Sequence, residues 1–271
     1  MNDQLRRRSV GSPAARSILL TILGEYVLQM GAVWQETLVV ALGSMGFTAQ
    51  AARQAIARST RDGWLTTERR GRRARMQLSP ETADLLRTGA ERIYSFGRPW
   101  EWDGRWLLIA LRVPESRREL RHELRTRLSW AGLGSLGGGL WLTPHAARED
   151  EIGAAVGTDD DAAIVSFVAT TGSLSDPRAI VADAWDLAGV EEAYKAFVRD
   201  FGRESPKTDE AMFRAQTAMV HAWRKFPFVD PDLPTSLLPR RWPRERAFEL
   251  FRERHARWDG PARRFIEQLE S

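Results

Sequence analysis

The chain has 271 residues and a formal net charge of +4, and that length predicts two or three domains rather than one. It contains no cysteine, which excludes a disulfide framework and any cysteine-based zinc or redox centre. No uncharged apolar run approaches the ~18 residues of a membrane span, and Glu25 and Gln29 interrupt the apolar stretch after the basic start MNDQLRRRSVGSPAARS, so a signal peptide is not expected. The expectation is a soluble, cytoplasmic protein with no membrane partner.

The charge is unevenly spread. Residues 1 to 100 hold 15 arginines against 8 acids, a net of +7, whereas the remainder holds 25 basic residues against 28 acids, a net of −3. The N-terminal third therefore expects a polyanion, and the rest expects other work.

Residues 12–80 read as one domain. Arg6 to Arg8 read as a mobile basic end, with an arm that touches DNA as the alternative, and Ser12-Pro13 starts a helix with proline at its first position. Ile18, Leu19, Ile22, Leu23, Tyr26, Val27 and Met30 recur at helical spacing up to Gly31, and Trp34, Leu38, Leu42 and Met45 mark a second helix ended by Gly46. Thr48 then caps a third. On that helix Gln50, Arg53, Gln54, Arg58 and Arg61 share one face and Ala52, Ala55, Ile56 and Ser59 the other. The stretch WLTTERRGRRARMQL alternates around Arg70-Gly71-Arg72 and reads as a hairpin with an arginine-loaded tip.

Helices with one arginine face are commonly plain solvated surface. The hairpin argues otherwise, because guanidinium groups crowded into a short tip repel one another unless an anion neutralises them. Arginine and glutamine also present the forked donors that fit guanine and adenine edges in the major groove. The pattern predicts a winged helix-turn-helix on double-stranded DNA, with Gln50, Arg53, Gln54, Arg58 and Arg61 from the helix and Arg69, Arg70, Arg72, Arg73 and Arg75 from the wing as contacts.

Residues 81–104 read as a connector helix, with Leu85, Leu86, Ile93 and Tyr94 inward, and a linker. Trp100, Trp102 and Trp106 follow and are expected in cores and interfaces rather than in a stacking surface. Residues 105–172 run strand (RWLLIALRV), helix (Leu120, Leu124, Leu128 and Ala131 inward), hairpin (LGSLGGGLWLTP), helix (146–157) and strand (AAIVSFVAT), the order of a small ferredoxin-like domain suited to dimerisation. The glycines 137–139 are followed by Leu140-Trp141 rather than Lys-Ser/Thr, which rejects a phosphate loop. Residues 173–271 read as a helical domain. Helices are expected over 177–187, 190–201 and 210–225, then a proline-rich extended wrap from Phe226 to Pro243. A helix from Arg244 to Trp258 should be broken by Gly260-Pro261, leaving a short last helix. The fold class expected is α+β: winged helix, ferredoxin-like domain, helical C-terminal domain.

These blocks together resemble the PaaX-like repressors of phenylacetate degradation, from about Ala15 to Leu269. The residues that carry the resemblance are Ala15 to Leu19, Ala51 to Ile56, Arg61 to Leu65, Trp102 to Trp106, Gly139 to Leu142, Val220-His221, Asp230 to Pro234, Leu237 to Pro239 and Trp242-Pro243. The C-terminal blocks, with their prolines and tryptophan, are the specific ones. One departure is visible: Arg244 stands where a glycine is expected after Trp-Pro. The resemblance implies a homodimeric repressor of an aromatic-acid catabolic operon, bound to a two-fold symmetric operator and released by an acyl-coenzyme A effector such as phenylacetyl-coenzyme A. For such an effector Arg127, Trp130 and Trp141 are the candidates, against the alternative that they only pack.

No catalytic residue, metal ligand or cofactor is expected. The four histidines, His122, His145, His221 and His255, share no metal-ligand spacing, and Asp159 to Asp161 read as a solvated loop. The alternative is a ferredoxin-like nuclease or an acyl-coenzyme A enzyme fused to a DNA-binding domain. Against it, Leu111-Arg112-Val113 places no carboxylate at the end of the first strand.

Overall fold

The structure, a computed structural model, describes residues 14–157 and 161–271. The Arg6 to Arg8 arm, the Ser12-Pro13 start, and Asp159 and Asp160 lie outside the described residues. Mixed helix and sheet place the chain in the α+β class. The elements in order are α1 (Ala15–Ile22), prolonged by a π-turn (Leu23–Val27) and a last turn (Leu28–Met30), β1 (Ala32–Trp34), α2 (Gln35–Ser44), α3 (Ala49–Arg61), β2 (Leu65–Arg70), β3 (Arg73–Leu78) and α4 (Pro80–Ser95). There follow β4 (Arg105–Arg112), α5 (Arg118–Trp130), β5 (Gly134–Gly137), β6 (Leu140–Thr143), α6 (Glu149–Val156) and β7 (Ala163–Thr170). The last helices are α7 (Pro177–Ala184), α8 (Leu187–Gly202), α9 (Asp209–Trp223) and α10 (Arg244–Glu270).

The chain divides into two compact units. The first comprises the residues up to Tyr94, Asp200–Arg224 and Leu250–Ser271; the second comprises Ser95–Arg199 and Lys225–Glu249.

In the first unit, the apolar stripe of α1 and its π-turn is buried with Leu38, Ala41 and Leu42 of α2 and Ala52, Ala55 and Ile56 of α3. Phe213 of α9 and Ala262 and Ile266 of α10 complete the same core. Full burial of such side chains contributes about 1.5–3 kcal/mol each. Several polar atoms that enter this core are paired, whereas buried Ser59 Oγ and Gln216 Oε1 have no hydrogen-bond partner among the described residues. Thr21 Oγ1 lies 3.0 Å from His221 Nδ1, Tyr26 Oη lies 3.3 Å from Thr217 Oγ1, and Tyr94 donates to Glu25 at 2.5 Å. The sheet has order β1-β3-β2, antiparallel throughout. Strand β1 was not expected: three residues are too few for alternation to show.

In the second unit, β4-α5-β5-β6-α6-β7 forms an antiparallel sheet of order β5-β6-β4-β7. Strand β4 is central and buries side chains on both faces. Leu107, Ile109 and Leu111 meet Leu124 and Leu128 of α5 and Ile152 and Val156 of α6, while Trp106 meets Val181, Leu233, Leu237 and Leu238. Gly139 has to be glycine. Its φ is +85°, and a Cβ there would lie 2.3 Å from the Leu111 carbonyl oxygen. The proline-rich stretch is not fully extended but includes a helical turn (Phe226–Val229) and a 3-10 turn (Thr235–Leu237). The tryptophans pack as expected: Trp106 is buried, its Nε1 donating to Thr171 Oγ1 at 2.8 Å, and Trp100 stacks on His145 with centroids 4.5 Å apart.

The expected break at Gly260-Pro261 is corrected: α10 continues through it to Glu270. Proline clashes with the Cβ of the residue before it, and Gly260 has none. Buried Trp258, Ala262 and Ile266 then hold both sides of the proline in one helix.

Arg244 explains its own departure from the resemblance. Its side chain is 5% exposed, with Nη1 3.2 Å from Asp232 Oδ1 and 3.6 Å from Asp230 Oδ1, and Nη2 donates to the Leu233 carbonyl at 2.5 Å. It thus closes the Asp230-Pro231-Asp232 loop, where Asp232 has φ +54°. Tyr194 donates to Asp230 from the other side at 2.6 Å. Arg244→Ala leaves buried carboxylate uncompensated and is expected to destabilise the chain by about 3–5 kcal/mol, read from urea unfolding.

His145 gives a pH signature. Desolvation first, and then the Arg148 charge, lower its pKa from 6.5 to about 4, while its Nε2 meets the Asp232 carbonyl at 3.0 Å. The folded chain keeps it neutral where the unfolded chain would protonate it. Its contribution is full above pH 6.5, falls as the pH drops, and levels off below about 4. The urea midpoint is expected to follow that course, and His145→Gln to flatten it.

Candidate nucleic-acid interface

The N-cap Thr48 opens α3, its Oγ1 accepting from the Ala51 N–H at 3.2 Å. Ala52, Ala55, Ile56 and Ser59 are buried, and the small alanines let the helix lie close to α1 and α2. That burial turns Gln50, Arg53, Gln54, Arg58 and Arg61 outward, all exposed. Asp62, the acid at the end of α3, is occupied: its Oδ2 lies 2.6 Å from Arg16 Nη2, and the Arg16 guanidinium sits 3.9 Å over the Trp64 ring.

The β2–β3 hairpin turns on two residues, Gly71 and Arg72, with Arg70 paired to Arg73. Gly71 has φ +63° in the first loop position, which glycine adopts without strain. Register then sorts the arginines. Leu65, Met76 and Leu78 take the core face, and Arg69 projects beyond them near the tip. Glu68, Arg70, Arg73 and Arg75 share the opposite face, where β1 places Trp34 across from Arg75.

The five hairpin arginines are not equivalent. Among the described residues no carboxylate pairs with Arg69 or Arg72, nor with Arg53, Arg58 or Arg61 on α3. Arg70 pairs with Glu68 at 3.0 Å but stays well exposed. Arg73 lies flat on Trp34, its guanidinium carbon 4.0 Å from the ring centroid. Arg75 points inward: Nη1 is 3.0 Å from Glu270 Oε2 and Nη2 donates to the Ala32 carbonyl at 2.9 Å. The α3 face and the hairpin tip thus carry guanidinium groups without internal counter-charges, a surface that concentrates polyanion.

The three residues suggested for an effector are not gathered. Arg127 is committed locally, donating to the Val156 carbonyl at 2.6 Å and to Glu123 at 2.5 Å. Trp130 is 40% exposed and Trp141 is buried in the sheet core. Of the three, only Trp141 borders the two adjoining cavities of the second unit, of about 850 and 710 Å³, which share Arg121, Arg125, Ser135 and Trp141. The spacing of Arg118, Arg121 and Arg125 could have indicated this face, because at i, i+3 and i+7 they share one side of α5, flanking the row of Leu120, Leu124 and Leu128. Among the described residues no group of three or more His, Asp or Glu could hold a metal ion. No helix there is long and apolar enough to cross a membrane.

A helix-and-hairpin module, a four-stranded α/β unit and C-terminal helices follow one another in this chain, which belongs to the family of PaaX-like proteins. Residues 14–82 match the PaaX-like protein model, residues 99–181 the PaaX protein central Cas2-like domain, and residues 185–268 the PaaX-like protein C-terminal domain. Among individual proteins, the chain is 28% identical over 249 residues to the transcriptional repressor PaaX of Escherichia coli K12, covering 86% of this chain and 77% of that one. In fold it is similar to the uncharacterized protein Rv0674 from Mycobacterium tuberculosis, at TM-score 0.65 and 22% identity, over 94% of this chain and 100% of that one.

Proposed function

We propose that this chain is a transcriptional repressor that binds double-stranded operator DNA through a winged helix-turn-helix. The observation that carries the reading is the outward face of α3 and the hairpin tip, whose Arg53, Arg58, Arg61, Arg69 and Arg72 lack carboxylate partners among the described residues. Helix α3 enters the major groove, where Gln50, Arg53, Gln54 and Arg58 meet base edges. Arg69, Arg70, Arg72 and Arg73 contact phosphates or the minor groove. Kinship with a protein named as a transcriptional repressor supports this. Reversing Arg72 and Arg73 to glutamate is expected to weaken binding to all duplexes and to lower the slope of log affinity against log salt by about 2. Titration of wild type and variant at two salt concentrations checks it, and unchanged affinity would sink the wing assignment.

The second unit is a ferredoxin-like domain that joins two copies, so that paired half-sites are read one helical turn, or a multiple of it, apart. Its edge strand β7 supports this: Ile164, Val165, Phe167 and Val168 stand exposed on a strand with no charge or proline to guard it. Phe167→Lys is expected to shift sedimentation from dimer to monomer and to lower operator affinity.

The effector is an acyl-coenzyme A thioester such as phenylacetyl-coenzyme A, acting on an operon for aromatic-acid breakdown. Arg125, beside Trp141, offers a cation for its phosphates better than Arg127, whose guanidinium is engaged; Arg121 lines the same cavities, its Nη2 donating to the Val113 and Pro114 carbonyls at 3.2 and 3.1 Å. The effector has to prefer the DNA-free arrangement, since equal affinity for both shifts nothing. Calorimetric titration of phenylacetyl-coenzyme A against wild type and an Arg121→Ala, Arg125→Ala double variant tests the site; equal binding removes it.

A further inference from the structure

Glu270 lies at the last turn of α10, where a carboxylate faces the negative end of the helix dipole and that turn itself holds no basic residue. Its contacts supply the reason for that placement. Oε1 accepts the backbone N–H of Trp34 at 2.8 Å and the hydroxyl of Thr37 at 2.5 Å, and Oε2 lies 3.0 Å from Arg75 Nη1. The side chain is 13% exposed. Trp34 is the N-cap of α2 and provides no side-chain cap of its own, so Glu270 brings a carboxylate to the positive end of α2 from the far end of the chain. Thr37 also donates to the Leu269 carbonyl at 3.2 Å. One carboxylate therefore ties together β1, the start of α2 and, through Arg75, the wing strand β3. The consequence reaches the DNA side: Trp34 is the platform on which Arg73 lies, and Arg75, the register partner of Trp34, is the next residue of β3 on that face.

We propose that Glu270 is a positioning residue for DNA binding, a clamp that fixes Trp34 and Arg75 so that the wing is held at one angle to α3 and Arg73 is presented. The inference rests on the DNA-binding reading above. The C-terminal family model stops at residue 268, short of this residue.

Electrostatics gives the test a sign. Removing a carboxylate beside the wing makes the surface more positive, and charge alone would then tighten duplex binding and steepen its salt dependence. Loss of positioning does the opposite. Glu270→Ala removes every bond; Glu270→Gln keeps an acceptor for Trp34 and Thr37 but drops the charge facing Arg75. Duplex affinity is expected to fall about tenfold in Glu270→Ala and by less in Glu270→Gln. Amide exchange should quicken over residues 32–37 and 73–77 while residues 49–61 keep their protection. Affinity equal to or tighter than wild type in Glu270→Ala overturns the clamp. So does loss of protection over 49–61 together with the wing in both variants, which would make Glu270 a general stabiliser. If wild type itself shows no salt-dependent duplex binding, the DNA reading fails; if wild type binds and Glu270→Ala binds no worse, only the role of Glu270 fails.

Discussion

The first unit depends on a core that its own first 94 residues do not complete. Tyr26, Ile22 and Leu23 are buried against Phe213 as well as against their neighbours in α2 and α3, and Ala262 and Ile266 share that core. A module of this size alone is marginal, because small domains bury a small fraction of their surface. Borrowing two helices supplies the missing apolar contact and brings polar partners with it, so Thr21, Tyr26 and Glu25 meet His221, Thr217 and His255. The exposed arginines of α3 can repel one another without unfolding the helix because the opposite face is secured in that core.

Much of the architecture was legible because its signals are local. The α3 face, its Thr48 cap, the hairpin around Gly71 and the buried strand β4 follow from side-chain periodicity and from the conformational needs of glycine and threonine. What escaped the sequence is non-local. Three-residue β1 exists because Ala32, Val33 and Trp34 find β3 beside them. Continuity of α10 past Pro261 follows from packing on both sides of the proline, which outweighs its local preference.

The candidate site divides along the same line. An arginine count cannot distinguish a guanidinium turned to solvent from one that is engaged. Register does so: Arg69 and Arg72 come out free of carboxylates among the described residues, Arg75 is drawn to Glu270, and Arg127 holds the end of α6. Arg244 is similar. It stood in the sequence as an anomaly after Trp-Pro, and only folding shows it to be the cation that closes an acidic loop.

Helix α10 also bears on how such a chain can evolve. Its beginning belongs to the second unit and its end to the first, so the segment that reads as a C-terminal appendage is a structural part of the N-terminal module. Recombination that exchanged the first 80 residues alone would deliver an arginine-bearing face stripped of Phe213, Ile266 and Glu270. The heritable unit therefore includes these C-terminal helices, and the α3 surface varies by substitution rather than by shuffled modules.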